Sequence, residues 1–267
     1  MGPAWLILPT YDEAENVEAI VRAVLPVLER SRADGHKILI VDDSSPDGTG
    51  EIADRLAAEL PGQVEVLHRD KPTGLGPAYL AGFAYALEHG AGLVLEMDAD
   101  FSHSPADVER LIAAVHDGAD VALGSRYIQG GGVTDWGLVR RLVSRGGCLY
   151  AQAVLNLHVH DLTGGFKCFR REVLEAIDLP TVRSKGYAFQ VELTYRAVRQ
   201  GFTVVEVPIT FRDRELGRSK MSWRIASEAF FLLPQLRRRQ IPPPVSAPPT
   251  SVHDAVADPA EQPTAKA

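Results

Sequence analysis

Blocks of hydrophobic residues are separated by polar stretches along the first half of the chain. Five short apolar runs have the length and composition of buried strands: residues 4–8, 37–41, 64–67, 92–97 and 121–124. Between these runs apolar residues recur at helical spacing, most clearly from Val17 to Leu28. Strands that alternate with helices are joined by parallel crossovers, so the pattern predicts an α/β fold with a Rossmann-like, mostly parallel sheet and flanking helices.

The alternation becomes less regular after Arg126, and the last helical pattern of the chain is ambiguous. That pattern covers 221–240 and includes the three arginines 237–239 near its end. Two interpretations stay open. The helix either packs on the core or lies on an anionic membrane surface with its arginines among the lipid headgroups.

The composition changes after residue 240. Residues 241–267 contain seven prolines and no Phe, Trp or Tyr. Such a segment cannot bury enough apolar surface to offset the entropy that is lost on folding. We therefore expect one folded domain over 1–240 and a disordered, proline-rich tail over 241–267.

Composition and charge narrow the class of protein. The chain has 267 residues, of which 45% are hydrophobic, and this suffices for the core of one large domain. A net charge of −7 argues against a nucleic-acid-binding protein, whose surface carries a basic excess. Two cysteines at no metal-binding spacing, and a start without a basic leader, indicate the cytoplasm. No apolar stretch reaches the roughly 18 residues that a membrane-spanning helix needs.

Two carboxylates, Asp98 and Asp100, follow the fourth predicted strand directly. Open α/β sheets bind ligands at the carboxyl ends of their strands. Carboxylates this close can share one hard cation, and Mg²⁺ or Mn²⁺ usually completes its coordination with substrate phosphates. The competing interpretation is a solvated acidic turn.

The ends of the first two strands carry further polar residues with ligand-binding chemistry. Tyr11 can stack on a base, and Glu13 or Asp43 can accept hydrogen bonds from its N–H groups. Each has a plainer interpretation: Tyr11 as a half-buried aromatic residue, and 42–49 as a turn that caps a helix.

Six segments occur in the order found in one enzyme family: Leu8–Glu13, Val41–Thr49, Met97–Asp100, Gly124–Tyr127, Asp161–Phe166 and Gly217–Lys220. In these segments the chain resembles the family-two nucleotide-sugar glycosyltransferases with the GT-A fold. Within that family it is most similar to the polyprenol (dolichol) phosphate mannosyltransferases. The resemblance extends over nearly all of 4–225.

The resemblance implies a role for individual residues. The guanosine of the donor would be held by five residues: Pro9, Tyr11, Glu13, Val41 and Asp43. The metal and the diphosphate would be held by Asp98, Ala99 and Asp100, with Ser102 assisting at the metal. Phosphates of donor and acceptor would contact Arg126, Arg214 and Lys220, and Val191 would line the sugar site.

The implied reaction is an inverting transfer of mannose from GDP-mannose to a polyprenyl monophosphate. Relatives that act on sugar hydroxyls usually carry a Glu-Asp pair late in the chain, and the aspartate of that pair serves as the base. The corresponding stretch here, Phe189–Glu192, contains no such pair. A lipid monophosphate needs no such base, because its second ionisation lies near pH ~6. The expected location is the cytoplasmic face of a membrane, with a membrane-embedded protein as a further partner.

Other functions remain open at this point. The donor could be UDP-glucose or another nucleotide sugar, the acceptor could be a sugar hydroxyl, and the chain could be a noncatalytic nucleotide-sugar-binding protein. The sequence also predicts the roles of two further residues, Lys167 and His103. Lys167 stands where the family more often has arginine, which predicts a looser phosphate contact. His103 is expected to be a capping or surface residue.

Overall fold

The computed structural model describes residues 1–184, 186–213 and 232–238 of the chain. Four of the sequence-based predictions fall outside these ranges. They concern Arg214, Lys220, most of the predicted helix over 221–240, and the tail over 241–267.

Strands and helices alternate through the first half of the chain, as the hydrophobic pattern predicts. The elements in this half are β1 (Ala4–Thr10), α1 (Val17–Arg30), β2 (His36–Asp42), α2 (Thr49–Glu59), β3 (Val64–His68), α3 (Leu75–Glu88), β4 (Leu93–Glu96), α4 (Asp107–His116) and β5 (Val121–Ser125). The later elements are β6 (Gly132–Val133), α5 (Leu138–Leu155), β7 (Lys167–Arg170), α6 (Arg171–Ala176), α7 (Gly186–Arg199), β8 (Val204–Pro208) and β9 (Thr210–Phe211). Residues 232–238 are helical as well.

Seven of these strands form one sheet in the order β3-β2-β1-β4-β7-β5-β8. All neighbouring strands pair in parallel except β7, which runs antiparallel to both β4 and β5. The short strands β6 and β9 form a separate parallel pair. The predicted mostly parallel sheet is therefore confirmed. Strand β7 escaped prediction because its four residues, Lys-Cys-Phe-Arg, begin and end with a charge.

The sheet is covered by helices on both faces. Side chains from alternate positions of β1 enter different cores, because successive residues of a strand point to opposite faces. Leu6 and Leu8 pack with residues of α1, α2 and α4, whereas Trp5 and Ile7 pack with residues of α3, α5 and α7. Burial on both faces explains why the central strands are continuous hydrophobic runs.

The carboxyl ends of β1, β2, β4 and β5 reach the same edge of the sheet, because these strands are mutually parallel. The segments that follow them are brought together there. None of the helices in the described ranges combines the length and the apolar character that a membrane crossing requires.

Candidate active site

A cavity of about 1400 Å³ opens at the carboxyl edge of the sheet. It is lined by segments that follow the strands, by the start of α3, by one side of α5, by the first turns of α7 and by Leu233 of the helical residues 232–238. Ten of the residues that the sequence predicts for the site line this cavity: Pro9, Tyr11, Glu13, Asp43, Asp98, Ala99, Asp100, Ser102, Arg126 and Val191. Val41 does not, because its side chain is fully buried in the core beside β1.

The acidic pair lies in a tight turn immediately after β4. The backbone amide of Ser102 donates a hydrogen bond to Asp100 Oδ1 at 3.0 Å, and Phe101 between them has a left-handed φ of 59°. The buried Tyr79 hydroxyl of α3 lies 3.4 Å from Asp98 Oδ1, to which it donates. Asp100 is only 4% exposed, which does not fit a solvated acidic turn.

The oxygen donors at this turn fit a hard divalent cation that arrives with a phosphate ligand. Asp98 and Asp100 supply two carboxylates to the cavity, and Ser102 adds a hydroxyl beside them. Within the described ranges no group of three or more His, Cys, Asp or Glu residues could hold a metal alone. Mg²⁺ and Mn²⁺ are commonly held by one or two carboxylates, with substrate phosphates and water completing the coordination.

Asp43 organises the loop that leads into α3. Its Oδ2 accepts hydrogen bonds from the backbone amides of Thr73 and Gly74, both at 2.9 Å, and its Oδ1 pairs with Arg69. Gly74 has a φ of +97°, a conformation that favours glycine. Thr73 and Gly74 line the cavity together with Asp43. A carboxylate has about four acceptor sites, so Asp43 retains capacity for a ligand.

The rest of the turn after β2 has the plainer role that the sequence also allows. Asp42 accepts a hydrogen bond from the Ser45 hydroxyl at 2.6 Å. Asp47 accepts the hydroxyl and the amide of Thr49 at 2.6 and 3.1 Å, at the start of α2. These contacts stabilise the turn and the helix start, and only Asp43 of this segment reaches the cavity.

Arg126, at the end of β5, is held by a buried carboxylate. Its Nε and Nη2 donate to the two oxygens of Asp161 at 2.7 and 2.6 Å, and its backbone amide donates to Asp161 Oδ2 at 2.9 Å. Burial alone would lower the pKa of Arg126, but the adjacent Asp161 carboxylate outweighs it and raises the pKa. The guanidinium therefore stays charged and fixed in orientation at the cavity wall.

Lys167 is not a phosphate contact, and that prediction is wrong. Its side chain has no exposed surface, and its Nζ lies 3.1 Å from Glu96 Oε1, which is equally buried. Gln190 bonds both partners, accepting from Lys167 and donating to Glu96 Oε2 at 2.9 Å. Burial lowers the pKa of Lys167 and raises that of Glu96, and their mutual attraction opposes both shifts. Gln190 itself lines the cavity, so this buried network supports a cavity wall.

His103 also differs from its predicted capping or surface role. It is buried, and it lines the cavity with its ring 4.8 Å from that of Phe166 and 5.2 Å from that of Phe211. Burial lowers its pKa to about 4, so the imidazole is neutral near pH 7. The sequence does contain a signal for a position in the site: His103 follows Asp100 by only three residues, and so short a connection keeps it near the acidic turn.

Two further lining residues were missed by the sequence analysis. Trp136 is buried, and the Arg140 guanidinium lies 4.2 Å from the centre of its ring. Arg140 also pairs with Asp213 at 2.7 Å. A tryptophan in a glycine-rich loop just before an arginine-containing helix was the signal that could have identified them.

Sequence comparisons agree with this site. The profile described as Glycosyl transferase family 2 matches residues 5–178. Polyprenol monophosphomannose synthase of Mycolicibacterium smegmatis is 50% identical over 226 residues, covering 85% of this chain and 83% of that protein. Undecaprenyl-phosphate mannosyltransferase of Micrococcus luteus is 47% identical over 223 residues, covering 84% and 89%.

Structural comparison agrees at the level of the fold. Glucosyl-3-phosphoglycerate synthase from Mycobacterium tuberculosis, in complex with phosphoglyceric acid, has a TM-score of 0.65 at 17% identity and covers 94% of this chain and 88% of that one. Its complex with Mn²⁺, UDP-glucose and glycerol 3-phosphate has a TM-score of 0.64 at 16% identity, with coverages of 89% and 80%. The GT-A-like fold expected from the resemblance is confirmed. This chain belongs to glycosyl transferase family 2, with polyprenol-phosphate mannosyltransferases among its relatives.

Proposed function

We propose that this protein transfers mannose from GDP-mannose to a polyprenyl monophosphate, with inversion at the anomeric carbon. One observation carries the proposal: a single cavity is lined by the carboxylates of Asp98 and Asp100 and by the cationic Arg126 and Arg140. Such a cavity suits two phosphate-bearing substrates. The names of the two mannosyltransferase relatives favour mannose and a lipid phosphate.

The donor nucleotide would lie along the ends of β1, β2 and β4. Tyr11, Glu13 and Asp43 would contact the guanosine, with Pro9 beside them. Because Val41 is buried, it would contribute through its backbone at most. Asp98, Ala99, Asp100 and Ser102 would hold the diphosphate through Mg²⁺ or Mn²⁺. When bound, such a cation stabilises the negative charge of a leaving diphosphate.

A phosphate acceptor is favoured by the environment of the stretch Phe189–Glu192. Glu192 is fully buried and pairs with Arg196 at 2.5 Å, and it is not among the residues that line the cavity. Val191 and the neutral Gln190 do line the cavity, so the part of α7 that faces it presents no carboxylate. A monophosphate is already an anion near neutral pH, and positioning it is therefore more important than removing a proton from it.

Positively charged residues would position the acceptor phosphate. Arg126 is pre-oriented by Asp161 and retains N–H groups beyond those that Asp161 and Thr163 accept. Arg140 lies on the same cavity. Arg214 and Lys220, which lie outside the described residues, would complete the set. With a lipid acceptor, the enzyme would act at the cytoplasmic face of a membrane. A membrane-embedded protein would be a further partner there.

Donor and acceptor can be tested together with the purified chain. GDP-mannose and UDP-glucose, each radiolabelled in the sugar, are offered with Mg²⁺ or Mn²⁺ and polyprenyl phosphate in detergent. We expect labelled lipid from GDP-mannose, with the anomeric configuration of the product inverted by NMR. Preferred transfer from UDP-glucose would overturn the donor assignment. Transfer to a free sugar hydroxyl, with none to the lipid phosphate, would overturn the acceptor assignment.

A further inference from the structure

Exposed hydrophobic side chains are concentrated on one helix. Within the described residues seven large hydrophobic side chains are exposed, and five of them belong to α5. Their exposed fractions are 76% for Leu138, 69% for Val139, 72% for Leu142, 41% for Val143 and 56% for Leu149. Single exposed hydrophobic residues are ordinary, but a contiguous group of this size marks an interaction surface.

The helical repeat divides these side chains into two neighbouring rows. Leu138, Leu142 and Leu149 are spaced by four and seven residues, so they share one row of the helix. Val139 and Val143 form the adjacent row, and both line the cavity. Helix α5 therefore contributes one apolar row to the cavity wall and presents the next row outward beside it.

The charge of α5 is opposite to that of the chain as a whole. The helix contains three arginines, at 140, 141 and 145, and no Asp or Glu, whereas the chain has a net charge of −7. Arg141 and Arg145 are exposed. Helices that combine an exposed apolar row with arginines bind at the interface of anionic membranes.

We propose that the first three turns of α5 bind the surface of an anionic lipid bilayer. Leu138 and Leu142 enter the boundary between headgroups and acyl chains, and Arg141 and Arg145 contact the headgroups. This inference rests on the proposed function in one respect. A lipid phosphate whose hydrocarbon chain stays in the bilayer reaches the cavity along Val139 and Val143, at the same helix that meets the membrane.

Vesicle flotation of the full-length chain tests this surface without using turnover. The vesicles contain phosphatidylglycerol and phosphatidylcholine but no polyprenyl phosphate, so a failure of the mannosyltransferase assignment leaves the result unaffected. Leu138 and Leu142 do not line the cavity. The double variant Leu138→Gln/Leu142→Gln should bind these vesicles about tenfold or more weakly, since interfacial binding scales with buried apolar area.

A second pair of variants tests the charge. Arg145→Gln should weaken binding to anionic vesicles, whereas Arg30→Gln, which removes another exposed arginine, from α1, should not. Compared with the wild type, which already has three tryptophans, Leu142→Trp should show an additional blue-shifted emission with vesicles that brominated lipid quenches.

Three results would overturn the proposal. The first is unchanged vesicle binding by Leu138→Gln/Leu142→Gln. The second is a wild-type dimer that this variant converts to monomer while vesicle binding persists, which would assign the surface to a second copy. The third is a large fall in thermal midpoint without a change in vesicle binding, which would assign it to another segment of the same chain.

Discussion

Asp98 and Asp100 illustrate how two neighbouring carboxylates can be held differently. Asp100 is buried and accepts a hydrogen bond from the Ser102 backbone amide. Asp98 is more accessible to solvent and accepts a hydrogen bond from the Tyr79 hydroxyl. Asp100→Asn keeps the shape and an acceptor oxygen but removes the charge. We expect mannosyl transfer to fall about 100-fold or more, because charge stabilisation in the transition state is lost. Transfer rates with Mg²⁺ and Mn²⁺ measure this.

The fold of Asp100→Asn is checked by circular dichroism, and the exposed Asp117→Asn serves as a matched control. Normal turnover by a folded Asp100→Asn protein would remove Asp100 from the metal site.

Lys167 and Glu96 show what a buried ion pair contributes. Lys167→Met would leave the Glu96 carboxylate buried without its cation, so we expect a loss of about 3–5 kcal/mol in the free energy of unfolding. Urea denaturation measures this loss. The comparison variant is Lys37→Met, which breaks the partly exposed pair with Glu65 and should cost only about 0–1 kcal/mol. Equal losses in the two variants would contradict the structural role of Lys167.

At the scale of elements, the start of α3 depends on the end of β2. Asp43 holds the amides of Thr73 and Gly74, and the loop it fixes forms part of the cavity. Asp43→Ala should raise the KM for GDP-mannose by about tenfold or more, because charge-assisted hydrogen bonds are each worth roughly 1.5–3 kcal/mol. Initial rates at varied donor concentration measure it.

Asp47→Ala is the control for this element, because Asp47 belongs to the same turn but does not line the cavity. It should lower stability slightly through the lost contacts with Thr49 and the Ala14 amide, and should raise the KM much less than Asp43→Ala does. A similar rise in KM for both variants would mean that the turn as a whole, and not Asp43, shapes the nucleotide site.

For the whole molecule, the folded domain is expected to be independent of its last residues. Deletion of 241–267 removes a segment with seven prolines and no aromatic residue. We expect the thermal midpoint and the activity on detergent-solubilised acceptor to stay unchanged. Calorimetry and the transfer assay provide the two measurements, and a large fall in either would mean that the tail packs on the domain.

The sequence predicts the parts of this molecule that depend on local pattern or on parallel topology. The acidic pair and Asp43 could be placed in one cavity because the carboxyl ends of parallel strands converge. The partners of Lys167 and Arg126 could not be predicted, because Glu96 and Asp161 lie far away along the chain and meet them only through tertiary packing. His103 was misjudged for the same reason, since Phe211 reaches it from a distant strand.

The antiparallel strand β7 lies between β4 and β5 in the sheet and therefore sets the distance between the ends of these two strands. Strands in a sheet are spaced by about 4.8 Å, so this insertion separates the end of β4 from that of β5 by roughly 10 Å. Gly164 and Gly165, in the loop before β7, line the cavity. A Cβ on Gly164 would lie 3.2 Å from the Gly124 carbonyl oxygen, and one on Gly165 would lie 3.1 Å from Gln190 Nε2. The span from the acidic turn to Arg126 is thus a property of strand order. Substitutions in the loops can change which groups bind at the acidic turn or at Arg126. The distance between these two sites stays the same, because the sheet sets it.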